Sequence, residues 1–583
     1  MESSISINKS MRALTVIFER INLTDRAALV NQTSAFNPLH IYRTYIANHL
    51  GSFLGVDTSL IYSALQRPQT PDKGDLFLPI PALRVKEKKP QELAHLIQNG
   101  DNYESDYRLG LYDPNNPDAG RKRIIVEFGS PNIAKPFHAG HLRSTIIGGF
   151  LANLYEEAGW EVTRMNYLGD WGKQYGVLGV GFSQLGVQDA LERDPIAHLF
   201  DVYVKISALG RKEQENMENM RNVIANEKLQ GHRMADMEQG LELFQANSRF
   251  RDLSVEKYRE SFARLNIHYD VYAGESQIKG ESMKEAEKLM EVKGVSERSD
   301  GAVLVDLTKY SKKLGKAIVR KKDGTSNYMT RDIGAVLERD KEYRYDKMVY
   351  VIASQQDLHM AQLIKIIELI GKKDLAEKLE HVNLGLVHGM STRKGTVKFL
   401  DDILRDAKEK MHEVMKVNQI KYEQVEDPEK IADILGISAV LVQDMASKRI
   451  NGYTFDMDRM TSFEGDTGPY LQYSHARLCS IIRKADIPSE RLKEADLSQL
   501  KEKHATAIVQ KLAQWPEPVT VLTYLWKLTH TINSSYDHLN VLNSELELKL
   551  ARLTLYSCAR QVLSNAMRLL GLTPVERYQM RPS

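Results

Sequence analysis

The stretch Arg121-Lys122-Arg123-Ile124-Ile125-Val126-Glu127-Phe128-Gly129-Ser130-Pro131-Asn132, continued by His138-Ala139-Gly140-His141, decides the fold. Residues Arg123–Phe128 are β-branched and apolar enough to read as a buried parallel strand. A tight connection follows over Gly129–Asn132, with Pro136 close behind. From His141 the apolar residues Leu142, Ile146, Ile147, Phe150, Leu151, Leu154 and Ala158 keep helical spacing until Gly159 stops them. Glu161–Tyr167 then reads as a second strand, which completes a βαβ unit. Open parallel sheets bind ligands at the carboxyl edge of such a strand, where free N–H groups and the helix dipole attract anions such as phosphate.

His138-Ala139-Gly140-His141 sits at that edge. Glycine lets the backbone lie against a flat base, and imidazoles one turn apart can bond phosphate oxygens while a triphosphate is attacked. The same spacing could hold zinc, but no Glu-x-x-His, nearby cysteine or third ligand accompanies it. Other nucleotide folds fail on their own fingerprints. Gly179-Val180-Gly181 lacks the third glycine of a dinucleotide loop, and the Gly-Lys pairs at Gly172, Gly315 and Gly371 are not followed by Ser or Thr.

With 583 residues the chain has room for three or four domains. A formal charge of only +2 means that a nucleic-acid partner must be held by local patches. Cys479 and Cys558 make neither a metal pair nor a disulfide framework, which suits a reducing compartment. No apolar run approaches the length of a membrane span. The N-terminal eighteen residues carry Lys9 and Arg12 and only Glu2 as an acid, a composition open to a mitochondrial leader; a frayed cytoplasmic N-terminus is the favoured reading.

In chain order, residues 1–120 form a small α+β module, with helical spacing over 37–66 and a strand over Asp75–Pro81. Pro, Asn, Asp and Gly around Asp113–Gly120 make a linker. A second domain covers 121–400, interrupted by a largely helical insertion at about 178–269. Its later strands are expected at Ala302–Leu307, Lys316–Arg320, Lys347–Ala353 and His381–Val387, with helices at Asp332–Tyr343 and Leu358–Gly371. That alternation indicates a doubly wound parallel sheet. Residues 401–583 are expected to be an all-α bundle without strand rhythm, with helices at Ile431–Lys448, Tyr470–Lys484, Val519–Asn533 and Leu546–Leu570.

The His-x-Gly-His segment resembles the first signature of class I aminoacyl-tRNA synthetases, and the wider run Val126–Thr145 resembles the arginyl-tRNA synthetase family in its fungal form. Ser462–Tyr473 and the ending Met567–Arg577 are similar to that family's anticodon-binding domain, so the resemblance extends over nearly the whole chain. It implies a multidomain α/β protein with a HUP/Rossmann-like catalytic domain, an N-terminal module touching the tRNA D-loop, and an all-α anticodon-binding bundle. The strand that usually reaches the D-loop should lie between about Leu96 and Tyr107, and it is missing from the sequence.

The resemblance also assigns residues. Glu127, Ser130, Asn132, His141, Tyr328, Asp332 and Gln356 match positions that line the arginine pocket. A guanidinium requires carboxylates in fork geometry, and Tyr328 and Asp332, four apart, can share one helix face. A core tyrosine and a helix-end charge are the plainer uses of these two residues. His138, Gly140 and His141 match ATP-binding positions, together with Met390, Ser391, Arg393 and Lys394 of the second signature loop. The usual second lysine of that loop is Thr392 here, and Lys135 stands where a lysine takes over its role in many relatives. The catalytic set is therefore Lys135, His138, His141 and Lys394. Two more positions depart from the family: Gly129 replaces a serine and His388 a glutamine.

Phe463, Asp466, Tyr470, Gln472 and Tyr536 match tRNA-binding positions, although the tryptophan expected four residues after Tyr536 is Asn540, and a buried bundle tyrosine is the alternative use of Tyr536. The implied partners are tRNA(Arg), L-arginine and ATP, the last as its Mg²⁺ complex, with no tightly bound cofactor and no resident metal. A monomer in the cytoplasm, with the mitochondrial matrix as the alternative, completes the expectation. The resemblance further implies that arginine activation needs bound tRNA. Two rivals remain: a small-molecule nucleotidyltransferase, which has no use for the helical bundle, and a catalytically dead tRNA-binding relative, which has no use for an intact pocket.

Overall fold

The computed structural model of the 583-residue chain describes residues 122–133, 137, 139–171, 173–221, 248–322, 324, 326–388, 400–423, 425–515 and 520–576. The expected N-terminal module, and the gap before Tyr107, lie outside them.

Strand β1 (Arg123–Phe128) exposes Arg123 and buries the next five residues, as a strand covered on both faces must. β2 (Glu161–Leu168) and β7 (Lys347–Ala353) flank it, both parallel. With β3 (Val271–Gly274) and β8 (Leu379–Leu384) they form a parallel sheet in the order β3-β2-β1-β7-β8. The chain winds outward from β1 through β3, then returns to the other side of β1. The order therefore reverses between β1 and β7, and a crevice opens at their carboxyl ends.

Helix α1 (Ala139–Glu157) crosses one sheet face. Gly148 lets it approach so closely that a Cβ there would lie 2.2 Å from Phe128 Cβ. Gly159, at φ +78°, ends the helix as expected: its N–H donates to Glu156 O, and Trp160 N–H donates to Tyr155 O. The insertion contributes α2 (Lys173–Leu185), α3 (Pro195–Arg221) and α4 (Ser248–Arg264), of which α4 packs Phe262 beneath Phe137. On the opposite face lie α5 (Gly280–Val292), α6 (Tyr328–Tyr343) and α7 (Asp357–Leu369), built around Met290, Ile333, Val336, Leu363 and Ile367.

Two expected strands take another course. Ala302–Asp306 (β5) and Lys316–Arg320 (β6) join β4 (Ser296–Ser299) in a separate antiparallel sheet rather than entering the parallel one. The reason is the connections. Asp300 and Gly301, both at positive φ, make a two-residue hairpin, and the link from β5 to β6 is too short for a crossover helix. The run expected at His381–Val387 also divides. It breaks after Leu384 at Gly385, where a Cβ would meet the Asn451 backbone at 2.4 Å, and resumes as β9 (Val387–His388).

The C-terminal part is helical: α8 (Leu400–Lys416), α9 (Pro428–Ala446), α10 (Gly468–Ala485), α11 (Lys503–Leu512), α12 (Val521–Ser535) and α13 (Leu546–Leu569). Strand rhythm is not wholly absent, since β10 (Tyr453–Thr454) pairs parallel to β9. One apolar cluster runs from Ile124 and Ile146 through Leu404, Leu471 and Leu553 to Leu572, so bundle and sheet share a core.

Candidate active site

The site begins where β1 ends. Gly129, at φ +63°, turns the chain; its N–H donates to Ser144 Oγ at 2.9 Å, and Ser144 Oγ donates to Val351 O of β7 at 2.6 Å. One hydroxyl thus ties the signature helix to both central strands. A side chain at 129 would lie 2.4 Å from Thr145 Oγ1, which accounts for glycine there in this chain. Ser130 Oγ accepts from Tyr167 N–H at 3.0 Å, and Asn132 makes a parallel bridge with Gly169. Tyr258 of α4 donates its hydroxyl to Asn132 O at 3.2 Å. The loop after β1 is therefore stitched to β2 and braced by the insertion. Gly140 and His141 occupy the first turn of α1, with the His141 ring 5.5 Å from that of Phe137. Lys135, His138, Met390, Ser391, Arg393 and Lys394 lie outside the described residues.

On the α6 side of the same strand ends, acidic groups from three segments converge. Glu127 of β1 is buried with its Oε2 2.6 Å from Arg339 Nη1, and the Arg339 guanidinium lies over the Tyr167 ring at 4.6 Å. Burial raises the Glu127 pKa, with Arg339 opposing and the Asp332 charge adding to the rise. Asp332, in the second turn of α6, also raises the pKa values of Tyr167, Glu275 and Tyr350 after the larger effect of burial. Asp332 is thus the charge that this cavity shares. Its Oδ2 lies 2.6 Å from His359 Nε2 of α7.

Tyr328, one turn before Asp332, is 54% exposed at the start of α6, which is the exposure of a rim residue rather than a core tyrosine. Gln356 is exposed in the turn after β7. The residues matched to the arginine pocket are brought to one sheet edge, with one qualification: Glu127 already carries an internal guanidinium.

Sequence reading passed over three members of this group. Glu275 follows β3 directly, and its carboxyl is pushed up to about 7 by burial and then by Asp332; its Oε2 has no hydrogen-bond partner. An acid one residue past a parallel strand was the available signal. His359 and Arg339 gave none, because each is placed by helix packing.

Residues 111–457 match the family model for the catalytic domain of class I tRNA synthetases (R), and 471–578 match the DALR anticodon-binding domain. A cytoplasmic arginine–tRNA ligase of Saccharomyces cerevisiae is 50% identical over 96% of this chain and 98% of its own. The chain belongs to the arginyl-tRNA synthetase family. A mitochondrial arginine–tRNA ligase of the same yeast is 44% identical over 93% of this chain and 89% of its own. The fold is shared with the Thermus thermophilus arginyl-tRNA synthetase (TM-score 0.69, 21% identity, 92% and 100% of the two chains covered).

Among the positions expected to contact tRNA, Asp466 and Tyr470 form an accessible group. His530 Nε2 lies 2.9 Å from Asp466 Oδ1, His530 Nδ1 lies 3.1 Å from the Tyr470 hydroxyl, and that hydroxyl accepts from Asn533 Nδ2 at 2.8 Å. Phe463 packs on Met411, Ala432 and Leu435 at the end of the bundle. Gln472 requires correction. It is fully buried, donates from Nε2 to Ser438 Oγ and Thr573 O, and accepts from Val575 N–H, so it fastens the C-terminal segment and cannot touch tRNA. Tyr536 lies beneath the Arg477 guanidinium at 3.8 Å, so a base stacking there meets arginine first.

Proposed function

We propose that the chain is an arginine–tRNA ligase. It activates L-arginine with Mg-ATP to arginyl-adenylate and passes the arginyl group to the terminal adenosine of tRNA(Arg). The observation that carries this reading is the group of carboxyls Asp332, Glu127 and Glu275, coupled to one another beside the carboxyl ends of β1 and β3. A cavity with more carboxylates than internal guanidinia selects a cationic side chain.

In this reading Asp332 and Tyr328 take the guanidinium, while Ser130, Asn132 and Gln356 take the α-amino and carboxylate end. The carboxylate so placed attacks the α-phosphate, the bond to the β-phosphate breaks, and diphosphate leaves with the magnesium. His138, His141 and Lys135 stabilise the charge that builds on the phosphate oxygens, and Met390, Ser391, Arg393 and Lys394 close over the triphosphate. A ribose hydroxyl of the tRNA then displaces AMP, the 2′ hydroxyl in class I chemistry. Positioning and charge account for the rate; the protein forms no covalent bond to substrate. In this reading Phe463, Asp466 and Tyr470 contact the tRNA, and Tyr536 lies near the anticodon behind Arg477. We place the enzyme in the cytoplasm as a monomer; fractionation and sedimentation test those two points.

Arginine-dependent ATP–pyrophosphate exchange tests the function. The expected result is exchange with arginine and tRNA together and with no other amino acid; exchange without any amino acid would point to the nucleotidyltransferase, and none under any condition to the inactive tRNA-binding relative.

A further inference from the structure

Asp332 is held from a neighbouring helix by a residue to which nothing so far assigns a role. His359 stands in the first turn of α7, and its Nε2 is 2.6 Å from Asp332 Oδ2. An aspartate carboxylate only accepts, so Nε2 carries the hydrogen and the contact is a short, charge-assisted bond. The two side chains are 29% and 26% exposed, which puts them at the rim of the pocket and not in the core. A pair so exposed adds little to stability.

Its effect is on direction. The terminal torsion of an aspartate is soft, so a free carboxylate samples a wide range of planes. A planar guanidinium needs one particular plane to receive two parallel N–H bonds, whereas an ammonium is a point charge indifferent to that rotation. With Oδ2 tied to His359, the remaining lone pairs of Asp332 are aimed away from α7. Tyr328 is one turn earlier on the same helix face, and Glu275 is close enough for its charge and that of Asp332 to repel.

We propose that His359 is a positioning residue for amino-acid selection: it fixes the carboxylate plane of Asp332 so that a guanidinium binds side-on and an ammonium gains nothing. The proposal rests on the arginine reading of the pocket.

The test is pyrophosphate exchange with tRNA present, on the full chain and on His359→Ala, His359→Asn and His359→Gln. Glutamine can bring an N–H to the place of Nε2; asparagine is too short. His359→Ala and His359→Asn are expected to raise the KM for arginine about tenfold, as one bond of a bidentate pair is lost. The KM for ATP, and the inhibition constant of lysine against arginine, should stay within about twofold, because neither depends on the carboxylate plane. His359→Gln should recover most of the arginine affinity, and His359→Ala should add nothing once Asp332→Asn is present.

Equal weakening of arginine and lysine, a fall in kcat alone, or a glutamine variant no better than alanine would each overturn the proposal. Melting curves recorded in parallel separate a folding defect, and the asparagine variant carries the test should alanine prove unstable. A wild type that activates a different amino acid refutes the arginine reading itself, a result distinct from any of these.

Discussion

Glu275 has a carboxyl pushed up to about 7, first by burial and then by the nearby Asp332 charge. A guanidinium entering the pocket favours the ionised form, so binding must expel a proton whenever the pH is below that value. The KM for arginine should therefore rise as pH falls through 7, toward about tenfold per pH unit. Glu275→Gln should flatten that profile and raise the KM at pH 8, while the KM for ATP stays level; a steep profile retained in the variant would assign the titration to another group. Asp332→Asn keeps the shape and removes the charge, at about 1.5–3 kcal/mol. That corresponds to a rise of about ten- to a hundredfold in the arginine requirement with ATP affinity unchanged. Parallel loss of ATP affinity would mean that Asp332 supports the fold.

Between elements, α1 and α9 meet through a buried ion pair. Arg143, two residues past His141, is fully buried; its Nε is 3.8 Å from Asp444 Oδ1, and its Nη2 donates to the carbonyls of Lys448 and Arg449. Its guanidinium also lies over the Tyr453 ring at 5.1 Å. Burial raises the Asp444 carboxyl to about 6, against the pull of Arg143. Arg143→Met leaves that carboxylate buried without its cation and should cost about 3–5 kcal/mol in a denaturant titration at pH 7. The sign with pH follows from the raised value. The cost belongs to the ionised form, so it should shrink as acid protonates Asp444, and Asp444→Leu placed on top of Arg143→Met should recover much of the loss. A loss independent of pH would show that the carbonyl contacts, not the ion pair, hold the two helices.

Across the whole molecule, the apolar core that begins under β1 continues into the bundle, and its far end is fastened back to α1 and to the segment after α4. Asn153 Nδ2 of α1 donates to Leu569 O at 3.3 Å, and Asn266 Nδ2 donates to Gly571 O at 2.9 Å. A ligand on the bundle can therefore bias the signature helix through packed contacts. Thr392 stands where the loop lysine is usual, and the lysine expected to replace it, Lys135, belongs to the other signature. We expect arginine and ATP alone to give little pyrophosphate exchange, and tRNA to raise it by well over about tenfold, more than 1.4 kcal/mol. Equal rates with and without tRNA would separate the bundle from the chemistry.

Local sequence was sufficient for what depends on nearest neighbours. The β-branched run at Arg123–Phe128, the glycine stop at Gly159 and the apolar spacing of Leu546–Leu569 each specify an element through its own period, and the strands at Lys316–Arg320 and Lys347–Ala353 have the bounds that spacing indicated. The edge after β1 was legible as a ligand site because such sites follow parallel strand ends, whereas Tyr328 and Asp332 at the start of α6, which follows an antiparallel strand, were pointed to by the family resemblance. Partnership was not legible, because it depends on contacts between residues far apart in the chain. Only tertiary packing buries Gln472 under Thr573 and Val575, gives Glu127 the guanidinium of Arg339, and brings His359 from another helix onto Asp332. Periodicity records which face of an element is apolar, and carries no information on which distant residue that face will meet.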